Sequence, residues 1–285
     1  MIQRLTLVAF AISLAFQCET CVSAGTIFDV ANDFSVAGNP NGARSYGYST
    51  TLNGPLILNA ETGSYGSGVN YWRTNLSLDV PSAFCNTSQQ VATVSTVQLQ
   101  PGQFGFHPGP NDEYEKARLT VPTTSTYSIT GAFSGVDVHG TTTDVHILLN
   151  GVSIFDGAVN GFGPNTGPSF SLTKTLAAND TLDFAVGYGS NDYFTDSTGL
   201  AAHIAPVQGD YNGDGKIDAA DYVVWRKGLG TIYTQADYDV WRAHFGQTAG
   251  SGAGALANAA VPEPTTLLLL MLAVVGSCLK RGRAA

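Results

Sequence analysis

Cysteine is nearly missing from this 285-residue chain. Cys18, Cys21 and Cys278 lie near the two ends, which leaves Cys85 alone in the body. A disulfide scaffold is therefore excluded for the body, and Cys18-x-x-Cys21 falls inside a leader rather than a redox site. Charge is scarce too: Asp, Glu, Lys and Arg make up 12% of residues, and the net charge is −9. An acidic chain without a basic stripe is not built to hold nucleic acid. Gly-x-Ser-x-Gly does not occur, so no nucleophile elbow is present, and no glycine-rich phosphate loop precedes a helix. Residues 25–206 also lack a long amphipathic helix.

Alternation takes the place of the missing helix. Tyr127, Ile129 and Phe133 fall on one face, with Ser128 and Thr130 on the other. Val145, Ile147 and Leu149 alternate with His146 and Leu148; Leu182, Phe184, Val186 and Tyr188 alternate with Asp183, Ala185 and Gly187. Period two means half-buried antiparallel strands. Asn150-Gly151 marks a tight hairpin, and Asn179-Asp180 and Pro122 to Ser125 mark further turns. Turn signals at about ten-residue spacing suggest two packed sheets. The expectation is a mainly β chain, with an eight-strand, jelly-roll-like β-sandwich over 25–206.

The densest chemistry is Asp210-Tyr211-Asn212-Gly213-Asp214-Gly215-Lys216-Ile217-Asp218-Ala219-Ala220-Asp221. Four carboxylates and an amide at alternating positions repel one another unless a cation sits among them. Asp210, Asn212 and Asp214 offer side-chain oxygens, and Lys216 a backbone carbonyl. Asp218 reaches the ion directly or through water, and Asp221 closes the shell. Gly215 permits the sharp turn. The bland alternative is a polar turn that binds nothing. The stretch resembles a type I dockerin repeat, an EF-hand-like calcium loop followed by a helix, with Asp rather than Glu at the last position. Ala220-Asp221-Tyr222-Val223-Val224-Trp225-Arg226 recurs as Ala236-Asp237-Tyr238-Asp239-Val240-Trp241-Arg242. The residues ahead of Asp237 carry no carboxylate, so one Ca²⁺ is expected, in a shortened module over 207–248. The resemblance implies a cohesin-like partner. Trp225 and Trp241 read as packing contacts between the two helices.

The ends read as export machinery. Residues 1–24 form a signal peptide: Arg4 is the positive start, Leu5 to Phe16 the apolar core, and Val22-Ser23-Ala24 the cleavage site. Residues 249–260 are a Gly/Ala linker. Val261-Pro262-Glu263-Pro264, an apolar stretch from Thr265 to Leu279, and Lys280, Arg281 and Arg283 then close the chain. Such a stretch spans ~22 Å as a helix against ~30 Å of hydrocarbon, and the basic residues hold the cytoplasmic side. This order over 261–285 resembles the PEP-CTERM sorting signal. That implies recognition by an exosortase, an integral-membrane protease, a transmembrane helix before processing, and passage through the inner membrane to the cell surface.

Function in the body is fainter. Arg118 to Pro122, Tyr127, Thr142 to Gly151 and Asp180 to Gly187 are similar to β-sandwich domains that accompany such tails in planctomycete-type secreted proteins. They are more distantly similar to carbohydrate-binding modules. Tyr71, Trp72, Tyr188, Tyr193 and Phe194 are the aromatics that could stack on a sugar; core packing is the alternative for each. Asp137-x-His139 and Asp144-x-His146, if they face each other, could hold a metal. His107 is a candidate base beside Asp112, Glu113 or Glu115, which read as solvated loop carboxylates. The favoured reading is a non-catalytic surface protein that binds calcium and polysaccharide. The alternative is a secreted polysaccharide-active enzyme, although nothing selects a carboxylate pair.

Overall fold

The computed structural model describes residues 28–74 and 80–248. The expected signal peptide, linker, Val261–Pro264 motif and membrane helix lie outside the described residues. Among the described residues no helix is long and apolar enough to cross a membrane.

The strands in chain order are β1 (Phe28–Asp29), β2 (Arg44–Ser49), β3 (Ile57–Leu58), β4 (Glu61–Gly66), β5 (Val69–Arg73), β6 (Ser82–Asn86), β7 (Ala92–Val94) and β8 (Val97–Leu99). They continue with β9 (Phe104–His107), β10 (Tyr114–Thr120), β11 (Ser125–Gly135), β12 (Thr141–Leu149), β13 (Val152–Gly161), β14 (Ser169–Leu176), β15 (Thr181–Gly187) and β16 (Thr198–Pro206). One sheet has eight strands, ordered β14-β11-β16-β9-β6-β5-β4 with β1 also on β16. The other has six, ordered β13-β12-β15-β10-β2-β3, and β7 and β8 pair separately. The sandwich is as expected, but its strands outnumber the eight that turn spacing suggested. The additional ones are short, and β4 is mostly Gly, Ser and Thr, so it carries no apolar period.

The core-facing members of the alternation point inward, but β12 and β15 are not half-buried: Leu148, Asp183 and Ala185 on the other face are buried as well. Ile129, Phe133, Val145, Ile147, Leu182, Phe184 and Val186 are buried in one continuous core between the sheets. Phe104 sits at its centre, edge-on to Phe106 with ring centroids 4.8 Å apart. The Asn150-Gly151 hairpin has φ of +51° and +79°, the left-handed pair that a two-residue turn of this hand requires. The outer face of the six-stranded sheet is held by charge. Arg118 donates to both oxygens of Asp183 across β10 and β15, at 2.6 and 2.7 Å. The buried Lys116 ammonium donates to the carbonyls of Leu52 at 2.8 Å and Gly54 at 3.3 Å, strapping that loop over the sheet.

Two helices follow, α1 (Ala219–Gly228) and α2 (Gln235–His244). Asp218 caps α1, and Asp221 reaches back to the Asp218 N–H to complete a capping box. The recurring tryptophans clamp the pair. Trp225 Nε1 donates to the Thr234 carbonyl at 2.9 Å, and Trp241 Nε1 to the Asp218 carbonyl at 2.8 Å. Trp225 also packs on Tyr238, and Trp241 on Tyr222.

Phe104→Ala removes a fully buried ring from the centre of the sandwich. It should lower unfolding free energy by about 3–5 kcal/mol. Urea titration followed by tyrosine and tryptophan fluorescence measures this; an unchanged midpoint would refute Phe104 as a core anchor.

Candidate functional site

The acidic loop lies directly after the sandwich. β16 ends at Pro206, and only Val207, Gln208 and Gly209 separate it from Asp210. Short side chains and glycines let the backbone fold back on its own carboxylates. Asp210 Oδ1 accepts from the Gly213 and Asp214 N–H groups at 2.8 and 3.1 Å, and Oδ2 from Gly215 at 2.9 Å. Asp221 Oδ1 accepts from Tyr211 and Asn212 at 2.8 and 3.0 Å, and Oδ2 from Asp218 at 2.8 Å. Gly213 and Gly215 supply positive φ, +75° and +85°, where the loop reverses.

Asp210 and Asp221 are both buried, and among the described residues no Lys, Arg or His forms an ion pair with Asp210, Asp214, Asp218 or Asp221. Burial pushes the Asp221 carboxyl above its usual range; backbone N–H bonds pull against this, and the Asp210 charge adds to the rise. Oxygen is the only donor type in the loop, which suits a hard cation such as Ca²⁺. Among the described residues, however, no three His, Cys, Asp or Glu side chains gather as a metal cluster. In this geometry the loop oxygens face backbone N–H groups, and Asn212 donates to Asp214 at 2.9 Å. The loop is closed at its far side by a short ladder. Ile217 N–H donates to Gln247 O, Gly246 N–H donates to Ile217 O, and Lys216 bridges Thr248.

The two Asp-x-His pairs do not make a metal centre. Asp137 accepts from the Thr96 hydroxyl and the His139 N–H, while the His139 ring stands exposed 3.9 Å away. Asp144 and His146 share a face, as expected, but Asp156 on neighbouring β13 occupies the other side of the imidazole. Nε2 lies 2.8 Å from Asp144 Oδ2 and Nδ1 2.6 Å from Asp156 Oδ1. With a carboxylate on each nitrogen, both nitrogens carry hydrogen and neither has a lone pair for a metal. Burial lowers the imidazole pKa, but the two carboxylate hydrogen bonds and charges outweigh it, and the net shift is upward. Tyr114 and the Gly189 N–H donate to Asp144, and Ser153 donates to Asp156. Ser153 therefore bonds the carboxylate rather than the imidazole.

His107 and the carboxylates near it are also spent. His107 Nδ1 lies 2.8 Å from the Pro108 carbonyl. Glu113 is buried and accepts from the Asn111 backbone and amide. Glu115 is not a solvated loop residue: it lies on β10 and faces the core. Its Oε1 accepts from Asn59 at 2.6 Å, and burial drives its pKa well above the normal range. The linear pattern hides this because Glu115 occupies a core-facing position of a strand with one residue of polar sequence on either side.

The aromatics divide. Trp72 is a core side chain, 6% exposed, with its indole N–H given to the Ser35 carbonyl. Tyr71 is half-buried under Tyr65, at 4.2 Å, and the Arg73 guanidinium, at 4.8 Å. Tyr188 and Tyr193 are half-buried in the loop after β15, and Tyr193 stacks on Phe194, ring centroids 4.5 Å apart. Phe194 is 62% exposed. The eight-stranded sheet also carries an open groove of about 660 Å³, lined by Ala132, Ser134, Ser169 and Ala201. Residues 100–103 with Pro164, Asn165 and Gly167 wall it, and the His203–Asp29 pair lies along it at 3.1 Å. Small lining residues carry no motif, so only the fold reveals them.

Residues 260–283 match the family model of the PEP-CTERM protein-sorting motif. Comparison with curated proteins returned no match. Among solved structures, the chain is similar to the CBM51 from Clostridium perfringens GH95 in complex with methyl-galactose. The identity is 14% over 52% of this chain and 94% of that one, with TM-score 0.30. It is similar to a family 35 carbohydrate binding module from Clostridium thermocellum, at 10% identity over 51% and 97%, TM-score 0.23. A third is the carbohydrate-binding module CBM36 in complex with calcium and xylotriose, at 13% identity over 56% and 97%, TM-score 0.24. The sandwich itself is defined by this chain's own strand pairing.

The His146 triad sets a pH dependence. A folded pKa above the ordinary 6.5 means that its stabilisation is complete below that value and is lost as pH rises through the raised one. Melting temperature should therefore carry a component that declines as pH rises above the ordinary imidazole range of about 6.5 and that His146→Gln removes. An identical profile in the variant would discard the imidazolium assignment.

Proposed function

We propose that this chain is a non-catalytic, exported surface protein in which a Ca²⁺ loop organises a small helical module beside a polysaccharide-binding sandwich. The observation that carries the calcium part is the pair Asp210 and Asp221: buried, acidic, wrapped by backbone amides and without a cationic side chain. Asp210, Asn212, Asp214 and Asp218 would supply side-chain oxygens, Lys216 its carbonyl, and Asp221 the closing carboxylate. The ion would supply the positive charge that no cationic side chain, Lys216 included, brings to these carboxylates among the described residues. The chain's own residues do the rest: Asp221 fixes the start of α1 through the Asp218 N–H, and Trp241 ties α2 to the Asp218 carbonyl.

The match at residues 260–283 supports sorting by an exosortase-type protease, with the tail holding the chain in the inner membrane before processing. The duplicated faces of α1 and α2 are the surface on which a cohesin-like partner would dock. For the sandwich, the Tyr193–Phe194 stack is the best platform for a sugar face, because Phe194 is exposed in an end loop while Trp72 is committed to the core. A polysaccharide-cleaving reading needs two carboxyl groups facing across a cleft. Glu113, Glu115, Asp144 and Asp183 instead have assigned structural partners.

Isothermal titration should show one Ca²⁺ per chain, and Asp210→Ala or Asp214→Ala should abolish tight uptake. At calcium ~100-fold above Kd, the helical module should gain about 2.7 kcal/mol. A calorimetric C-terminal transition unmoved by chelator, with no heat of binding, rejects the site.

A glycan array probed with the full chain in detergent should identify a neutral polysaccharide. Phe194→Ala should weaken its binding roughly fivefold, from a stacking contribution of about 1 kcal/mol. Full retention of binding by the variant moves the ligand away from this loop.

A further inference from the structure

We infer that the peptide plane between Gly213 and Asp214 couples the acidic loop to the sandwich, so that a cation in the loop is felt by strands β11 and β14. The inference rests on the calcium reading proposed above. The N–H end of this peptide, on Asp214, is shared between Asn212 Oδ1 at 2.9 Å and Asp210 Oδ1 at 3.1 Å, both proposed calcium ligands. The C=O end, on Gly213, accepts from Thr126 Oγ1 at 2.8 Å and Thr175 Oγ1 at 2.9 Å. Those threonines face each other across the β11–β14 pair, with hydroxyl oxygens 3.1 Å apart. Each hydroxyl has one hydrogen, so with both turned to Gly213 the carbonyl receives two donors.

A trans peptide is planar, with its N–H and C=O pointing in opposite directions and a high barrier to twisting. The Asp210 and Asn212 side chains and the threonine pair therefore grip opposite edges of one rigid plate. Gly213, at φ +75°, holds the plate in a backbone conformation that a side chain would strain. There is little slack around it. Val207 N–H donates to the Thr126 carbonyl at 2.8 Å, so the connector is pinned to the same strand. Thr126 is buried, and without the Gly213 carbonyl its hydroxyl keeps only Thr175 as a neighbour. A cation among the loop carboxylates would offset their mutual repulsion, hold Asp210 and Asn212 in place and keep the plate's carbonyl on the strands. Loop occupancy thus sets whether the helical module is docked on the sandwich.

The test is hydrogen exchange by mass spectrometry on the full chain in detergent, with Ca²⁺ or with EGTA, beside calorimetric Ca²⁺ titration of the same samples. In the unmodified chain Ca²⁺ should slow exchange about tenfold in β11 and β14 as well as in the loop. In Thr126→Val/Thr175→Val, Ca²⁺ uptake should persist while protection is confined to residues 210–221. Should the double variant fold poorly, Thr175→Val alone, at an exposed position, should lose part of the strand protection. Uptake with no strand response in the unmodified chain, or an undiminished strand response in the variants, overturns the coupling and spares the calcium reading. No uptake by the unmodified chain overturns both.

Discussion

Among the described residues, backbone amides alone hold the negative charge of Asp210 and Asp221. Three N–H groups converge on each carboxylate. Amide dipoles orient a charge and lower its cost, but they do not cancel it, and like charges close together in a partly buried loop still repel. The helical module hangs on this arrangement. The first turn of α1 starts from Asp218 and Asp221, and α2 is tied to the Asp218 carbonyl through Trp241. The hydrophobic contacts between the helices are rings packed on rings, Tyr222 on Trp241 and Trp225 on Tyr238.

The sandwich treats charge in the opposite way. Its ionic groups are almost all matched inside the fold. Arg118 and Asp183 form a two-point contact across strands, His146 is gripped by Asp144 and Asp156, and Lys116 is capped by two carbonyls. Glu115 and Asp196 are exceptions, buried carboxyl groups whose Oε2 and Oδ2 have no hydrogen-bond partner among the described residues. A matched charge on a sheet face fixes strand register without needing a chemical role. That is a structural use of the same residue types from which catalytic sites are built.

Much of this was legible in the chain. Alternation in β11, β12 and β15 marked the core, and Asn150-Gly151 marked its hairpin, because period and turn chemistry are local. The repeated Trp225 and Trp241 announced a helix pair packed on itself. What escaped was set by distant partners. Glu115 sits on the core face of β10 and finds its partner in Asn59, far away in sequence. Asp156 blocks His146 because β13 folds back beside β12. Trp72, adjacent to the half-exposed Tyr71, points the other way because strand neighbours alternate. The groove over Ala132 and Ala201 is made by two loops that no sequence window joins.

The ladder between Ile217 and Gln247 has a mechanical consequence. The chain leaves the helical module beside the point where it entered, since Thr248 bridges Lys216. Tension arriving from beyond Thr248 therefore meets this antiparallel strip first and peels it one hydrogen bond at a time. The loop and the helix pair would yield in sequence, as a fuse does, before load reached the long ladders of β11 and β16.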